Sequence, residues 1–317
     1  MPPTEIAHKD DALGSINPSA FVLSATDNYP LAAKLWVNSA LPSPAIAAVI
    51  NAGAGVGSRY YDRFAQFLAG VGVPTLIYDY RGIGQSRPRS LRNFSTSVEE
   101  WGSKDCAAAL TWLAAQFPGA KRLVIGHSVG GFVTGFVTNG RLIDKLVLIG
   151  AHTGYWRDYS PWARPSMYLL WHLLMPALTR AVGYFPGRML RLIDDLPAGV
   201  ALEWANRRQP DFWLDKGTPN AARDRSWQDE VLSRFRAIHA RTLAVRFTDD
   251  PFGTEVATSR ILNLYENCVA TTMTIEPIAV GGQKIGHFGF FRSRFRDTLW
   301  VRVAEWLREP QSGQGAA

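Results

Sequence analysis

The sequence predicts an α/β fold, in which a mostly parallel central sheet carries helices on both faces and is interrupted by a helical cap insertion. Two observations lead to this fold class. Continuous apolar runs of six to eight residues alternate with helix-compatible stretches, and the alternation stops once, between residues 152 and 238. Continuous apolar runs are typical of strands buried on both faces, and strand–helix alternation is typical of a parallel sheet.

The predicted elements follow one another along most of the chain. Residues 21–26 and 32–37 are short strands that turn residues join into an opening hairpin. The buried strands are predicted at 45–51, 73–80, 121–127, 145–150, 242–247 and 273–279. The helices are predicted at 58–71, 98–117, 130–139, 254–266 and 293–309. Ligands of such sheets bind beyond the carboxyl ends of the strands, so we seek functional residues in the loops at that edge.

The chain divides into three kinds of segment on this basis. Residues 1–19 and 310–317 are polar and lack periodicity, so both ends are expected to be loose. Residues 20–151 and 239–309 are predicted to form the α/β core. Residues 152–238 lack a strand signal and are rich in proline and aromatic residues. We expect this insertion to be the helical cap, with most of its aromatic side chains packed on the core and the rest lining an apolar pocket.

Composition argues against several classes of function. The net charge of +7 comes from scattered arginines and no nucleic-acid-binding module is recognisable, so nucleic-acid binding is not expected. Cys106 and Cys268 are far apart and have no neighbours at metal-ligand spacing, so neither a disulfide framework nor a metal site is expected. No apolar run reaches the roughly 18 residues that span a bilayer. We therefore expect a cytoplasmic protein without stable membrane insertion.

The motif Gly126-His127-Ser128-Val129-Gly130 lies between a predicted buried strand and a predicted helix. In that context G-x-S-x-G is typical of a nucleophile elbow, a sharp turn that exposes the serine at the top of the sheet. Side chains at positions 126 and 130 would collide with neighbouring backbone. The amide of Val129 would point toward a developing oxyanion. A glycine-rich turn without chemistry is the alternative interpretation.

A general base is expected later in the chain, because with this elbow the order is Ser, acid, His. Of the six histidines, His287 lies in a glycine-rich loop between the last predicted strand and the last helix. One other histidine is in the amino-terminal segment, one adjoins Ser128 and should project away from it, and three precede the last credible acid. These five are His8, His127, His152, His172 and His239. His287 is therefore the predicted base.

Two adjacent carboxylates, Asp249 and Asp250, follow the predicted penultimate strand. One is expected to accept the imidazole N–H of His287 and to set its tautomer. The other is expected to cap the helix that begins near Thr254 or to face water.

Together these residues resemble the α/β-hydrolase superfamily, in particular its serine hydrolases of the esterase and lipase kind, over roughly residues 20–309. Residues 78–86 are similar to the D-x-R-G-x-G-x-S loop of that family, in which Arg81 would bond neighbouring loops. The resemblance implies the α/β-hydrolase fold with a cap after the sixth strand. It also places the acid at the third position after Phe247, which is Asp250, and Pro251 supports this choice because it restricts the preceding backbone.

The resemblance further implies an oxyanion hole built from two backbone amides. One is the N–H of Val129, and the other comes from the loop after the third strand, where Ala54 is the matching residue. The histidine that usually begins this loop in the family is absent, but a backbone donor does not depend on that side chain.

We therefore predict a serine hydrolase that cleaves small hydrophobic carboxylic esters through an acyl-enzyme on Ser128, with His287 and Asp250, and without a cofactor. An acyltransferase, a thioesterase or a peptidase with the same triad are alternatives, because the triad does not choose the acceptor. A cofactor-free peroxidase and a non-catalytic ligand-binding protein are less favoured. Trp162 and Trp171 are expected to contact the remote part of the substrate. No oligomeric state is predicted.

Overall fold

The computed structural model describes residues 16–207 and 221–309. Ten strands lie in these ranges: β1 (Ser19–Ser24), β2 (Pro30–Trp36), β3 (Ile46–Asn51), β4 (Thr75–Tyr78), β5 (Lys121–His127), β6 (Lys145–Ile149), β7 (Tyr184–Phe185), β8 (Leu196–Pro197), β9 (Arg241–Phe247) and β10 (Val269–Ile275). The helices there are α1 (Asp62–Gly70), α2 (Val98–Glu100), α3 (Ala107–Gln116), α4 (Val129–Thr134), α5 (Arg164–Leu169), α6 (Met175–Val182), α7 (Ala198–Ala205), α8 (Ala221–Arg236), α9 (Glu255–Leu262), α10 (Gly286–Gly289) and α11 (Val301–Arg308).

Eight of the strands form one sheet in the order β1-β2-β4-β3-β5-β6-β9-β10. Strand β2 pairs antiparallel with β1 and β4, and the other pairings are parallel. Helices α1, α3, α4 and α9 pack against its strands. The prediction of a mostly parallel α/β sheet that opens with a hairpin is confirmed.

All but one of the predicted strands of this sheet agree with the structure to within two residues at each end. The exception is β10, which begins four residues earlier than the apolar run 273–279 predicts. It is an edge strand that pairs only with β9, and most of its residues are exposed. Apolar patterning therefore misses its Thr-rich beginning, and Pro277, which cannot donate to a strand ladder, starts a 3-10 turn instead.

The predicted helices are present, but two of them, and the segment between β6 and β9, include π-helical segments. These segments are Trp101–Cys106 between α2 and α3, Leu170–Leu174 between α5 and α6, and Arg296–Trp300 before α11. No helix of the described residues is long and apolar enough to cross a membrane.

The segment between β6 and β9 holds helices α5 to α8 and one feature that the sequence does not predict. Strands β7 and β8, two residues each, pair antiparallel within it. Strands this short leave no periodic pattern in a sequence, so the expectation of an entirely strand-free segment is wrong at this point.

The described residues include only a small part of the two chain ends. The prediction of loose ends at 1–19 and 310–317 lies largely outside the described residues. Within them, Ile16 is buried against the core and Ser19 already pairs with Leu35. The core therefore begins a few residues before the predicted position 20.

The loop predicted to bond its neighbours after β4 does so through Arg81. Its guanidinium donates to Asp105 at 2.7 Å and to both carboxylate oxygens of Asp27 at 2.7 and 2.8 Å. Asp105 lies in the π-helical segment between α2 and α3, and Asp27 lies in the hairpin turn between β1 and β2. Arg81 therefore connects three segments: the loop after β4, the hairpin turn and the π-helical segment.

The parallel register brings the carboxyl ends of the central strands side by side. Asn51 of β3 lies opposite Gly126 of β5, and Ile149 of β6 lies opposite His127 and Val245. Because all four strands point the same way, the loops that follow them converge on one edge.

Candidate active site

Ser128 occupies a strained turn between β5 and α4. Its φ of 55° and ψ of −125° lie in a region that side-chain-bearing residues rarely adopt. A Cβ at position 126 would lie 2.5 Å from the Cα of Gly131, and one at position 130 would lie 2.1 Å from the carbonyl oxygen of Asn51. The collisions with backbone expected at these two glycines are therefore present.

Gly130→Ala is expected to lower the free energy of unfolding by about 1–3 kcal/mol, because the added methyl must displace the backbone of β3. Gly57→Ala is the matched control. Its Cβ would meet no atom closer than 3.8 Å, and the backbone there is extended with φ of −66°. Urea unfolding of both variants checks this, and equal losses would contradict the packing argument.

Ser128, His287 and Asp250 form one buried chain of hydrogen bonds. The Nε2 atom of His287 lies 2.8 Å from Ser128 Oγ, and its Nδ1 atom lies 2.8 Å from Asp250 Oδ2. An ionised carboxylate can only accept, so Nδ1 carries the proton and Nε2 is left to accept the proton of the Ser128 hydroxyl. The structure thus brings together the three residues that the sequence analysis selected.

The environment of Asp250 favours its ionised form. Burial would raise the pKa of this carboxyl, but the charge and hydrogen bond of His287 and the N–H groups of Phe252 and Gly253 hold the pKa below its ordinary value. The Phe252 N–H donates to Asp250 Oδ1 at 2.8 Å. The carboxylate therefore has both oxygens engaged, one on the backbone and one on the imidazole.

Asp249 has a different position from either predicted one. Its carboxylate accepts the N–H groups of Ile285 at 2.8 Å and Gly286 at 3.0 Å, directly before His287. The cap of α9 is the hydroxyl of Thr254. The expectation that the second aspartate caps that helix or faces water is therefore wrong. The glycine-rich loop leaves backbone donors that need an acceptor, and Asp249 supplies it.

His127 projects away from Ser128, as predicted, and connects two loops of the site. Its Nε2 atom lies 3.0 Å from the carbonyl oxygen of His287, which can only accept, so Nε2 carries the proton. Its Nδ1 atom then accepts from the hydroxyl of Tyr61 at 2.8 Å. Burial lowers the pKa of His127 to about 3 and keeps the ring neutral. The Tyr61 oxygen accepts the Gly53 N–H at 2.9 Å.

This contact bears on the predicted oxyanion donor after β3. Because the Gly53 amide is engaged with Tyr61, the next amide of the loop is that of Ala54. Ala54 and Ser128 line the same cavity, and Val129 begins helix α4 directly after Ser128. Both predicted donors thus lie beside the candidate nucleophile.

Comparison with known proteins gives the same fold. The model of the family described as serine aminopeptidase, S33 matches residues 42–197. An esterase from Thermogutta terrifontis superposes with a TM-score of 0.59 at 15% identity, covering 92% of this chain and 98% of that one. A carboxyl esterase from Bacillus coagulans gives a TM-score of 0.57 at 13% identity, covering 92% and 98%.

The chain has the α/β-hydrolase fold. An esterase from Pyrococcus furiosus is similar in the same way, with a TM-score of 0.53 at 16% identity, covering 92% of this chain and 90% of that one.

One histidine near Ser128 Oγ is not among the three residues that the sequence analysis selects. The Nε2 atom of His152 lies 3.2 Å from Ser128 Oγ, and its Nδ1 atom accepts the N–H of Gly154 at 3.0 Å. Chain order excludes His152 as the base, but its place directly after β6 put it at the same sheet edge as Ser128. That topological signal was present in the sequence.

The candidate site opens into a cavity of about 190 Å³ with a mainly apolar lining. The segment between β6 and β9 contributes ten residues to this lining, which are His152, Tyr159, Met167, Leu170, Trp171, Met175, Leu192, Ile193, Leu196 and Trp204. None of the described residues that line the cavity is acidic. Trp162, expected to face a substrate, is instead 75% exposed and lies outside the lining, whereas Trp171 is part of it.

Metal-ligating side chains are not clustered in the described ranges, where no group of three or more His, Cys, Asp or Glu residues could hold an ion.

Proposed function

We propose that this α/β hydrolase is a serine esterase acting on small carboxylic esters with an apolar acyl or alcohol part. The observation that carries the proposal is the chain Asp250–His287–Ser128, with two contacts of 2.8 Å, at the mouth of an apolar cavity. A buried serine hydroxyl that donates to an oriented imidazole is the arrangement that nucleophilic acyl transfer needs.

Each group has one role in the proposed acylation. Ser128 Oγ attacks the ester carbonyl while Nε2 of His287 takes its proton, and Asp250 stabilises the imidazolium that results. The carbonyl oxygen becomes negative and is bound by the N–H groups of Val129 and Ala54. The imidazolium then protonates the departing alcohol, and the acyl group stays on Ser128. Water repeats the sequence and releases the acid.

We also propose that residues 152–238 form a cap over the site. Support comes from the ten residues of this segment that line the cavity with Ser128. A cavity of about 150 Å³ holds benzene, so one of this size suits a group of roughly six to eight carbon atoms. The preferred acyl chain is therefore expected to be of intermediate length. A cytoplasmic location remains a prediction from the sequence alone.

A peptidase is the second candidate, because the matching family model is described as serine aminopeptidase. An aminopeptidase must bind a free amino terminus, which carries a positive charge near neutral pH. An acidic side chain in the pocket would supply its partner, and the described lining contains none. The apolar lining therefore favours an uncharged ester over a peptide amino terminus.

The test compares p-nitrophenyl esters of two to sixteen acyl carbons with amino-acyl p-nitroanilides, alongside labelling by a fluorophosphonate probe. We expect labelling, ester turnover that is highest at intermediate chain length, and little p-nitroanilide turnover. Labelling with anilide but not ester turnover would favour the peptidase. Labelling without either would point to a transferase, and no labelling would reject the serine mechanism.

Trp171→Ala is expected to lower kcat/KM for the preferred ester by roughly tenfold relative to the acetate ester, because a pocket contact contributes to binding only where the chain reaches it. Trp162→Ala is the matched control, since this exposed indole lies in the same segment outside the lining. The ratio of kcat/KM values across the ester series checks this. The same change in ratio in both variants would show that Trp171 does not contact the acyl chain.

A further inference from the structure

The hydroxyl oxygen of Ser128 has two imidazole neighbours. His287 Nε2 lies 2.8 Å away and His152 Nε2 lies 3.2 Å away, on loops that follow different strands. The proposed mechanism uses only the first. That mechanism gives no role to the imidazole of His152.

The proton of His152 can be placed from its other contact. Its Nδ1 atom accepts the backbone N–H of Gly154, so Nδ1 bears a lone pair. A neutral imidazole then carries its proton on Nε2, which faces Ser128 Oγ. The two histidines are consequently complementary: the serine hydroxyl donates to His287 and accepts from His152.

The surroundings hold His152 in this form. Arg207 is buried and donates to the carbonyl oxygen of Thr153 at 2.6 Å, which fixes the turn that presents the Gly154 N–H. Gly154 adopts φ of +86°, which favours glycine. Burial, and then the charge of His287, lower the pKa of His152 to about 3. His152 is thus a fixed donor rather than a second base.

Resting on the serine-esterase function proposed above, we propose that His152 is a catalytic hydrogen-bond donor to Ser128 Oγ, and that it acts chiefly in deacylation. There the acyl carbon gains a bond to water oxygen while Nε2 of His287 takes the water proton. The bond from the acyl carbon to Oγ then breaks, Oγ keeps the electron pair, and the His287 imidazolium returns the proton to it. His152 keeps its own proton throughout.

The asymmetry between the two half-reactions follows from the charge on Oγ. In the acyl-enzyme Oγ is an ester oxygen, a weak acceptor, and it becomes a strong one as it departs. The bond from His152 therefore strengthens in the transition state of deacylation, which accelerates that step. Before acylation the Ser128 hydroxyl already accepts this bond. The bond therefore stabilises the ground state and the transition state of acylation more nearly equally, and it accelerates acylation less.

His152→Leu removes the N–H donor to Ser128 Oγ. His152→Asn also removes it, because the shorter amide does not reach Oγ, but it keeps an acceptor for the Gly154 N–H. With a p-nitrophenyl ester we expect kcat to fall about ten- to a hundredfold, near the lower end of the loss of one preorganised donor. We expect kcat/KM, which reports acylation, to change by less than about threefold. A p-nitrophenol burst and an acyl adduct on Ser128, seen by intact mass spectrometry, should appear.

His152→Gln restores an N–H donor of similar reach and should recover most of kcat. His172→Leu is the matched control, since this buried histidine of the same segment bonds the Ala205 carbonyl, away from Ser128. It should show neither the burst nor the separation of kcat from kcat/KM.

Three results would overturn the inference. The first is a kcat equal to that of the wild-type protein in both His152→Leu and His152→Asn. The second is an equal loss of kcat and of kcat/KM in these variants. The third is a lower kcat without accumulation of the acyl-enzyme. Failure of the serine-esterase function looks different: the wild-type protein itself would neither label nor turn over esters, and the assignment of His152 would fall with it.

Discussion

Ser128→Ala is expected to lower turnover of the preferred p-nitrophenyl ester by about 10⁶, the loss that follows removal of a triad nucleophile. The reason is that no other described residue pairs an activated hydroxyl with His287 at this cavity. Substrate binding and the two proposed oxyanion donors remain, so a small residual rate above the uncatalysed reaction is expected. Labelling by the fluorophosphonate probe should disappear. Steady-state kinetics and gel-based labelling measure both quantities.

Ser58→Ala is the matched control for this variant. Ser58 and Ser128 are equally buried at 7% exposure, but Ser58 lies outside the lining of the cavity. Its N–H bond to Asp79 belongs to the backbone and survives the substitution. Turnover and labelling of Ser58→Ala should resemble the wild-type protein. Labelling that persists in Ser128→Ala would place the nucleophile at another residue.

Asp250→Asn is expected to lower kcat/KM by about 10⁴, because an asparagine amide favours the wrong tautomer of the histidine. The carboxylate now accepts from Nδ1 of His287 at 2.8 Å. An amide nitrogen in that place would donate instead, which moves the imidazole proton to Nε2 and leaves no acceptor for the Ser128 hydroxyl. The measurement is kcat/KM on one activated ester, with folding confirmed by circular dichroism.

Asp249→Asn provides the matched comparison one residue away. It weakens two hydrogen bonds to the backbone before His287 but leaves the Asp250 contact intact. A loss below about tenfold is expected, in the range of a net hydrogen bond, together with a lower Tm. The reverse ranking of the two variants would assign the triad acid to Asp249.

Local chemistry let the sequence alone predict much of this α/β-hydrolase fold. The central strands are marked by continuous apolar runs because both of their faces are buried. Gly126 and Gly130 indicate the elbow because so sharp a turn has no room for a Cβ at these positions. In the structure, a Cβ at either position would collide with backbone atoms. Chain order and loop position were enough to select His287 and to narrow the acid to Asp249 or Asp250. The family resemblance favoured Asp250, and the structure brings this residue to within hydrogen-bonding distance of His287.

Only the tertiary structure decided features that depend on several loops at once. Asp249 and Asp250 are adjacent in sequence, but which one meets the imidazole depends on how the loop after β10 packs against them. Trp162 and Trp171 have the same side chain in the same segment, yet packing exposes one and places the other in the cavity. His152 reaches Ser128 because β5 and β6 are neighbours in register, and the direction of its proton depends on one turn held by Arg207. Contacts between distant segments carry no local pattern, so residue type and spacing leave them undetermined.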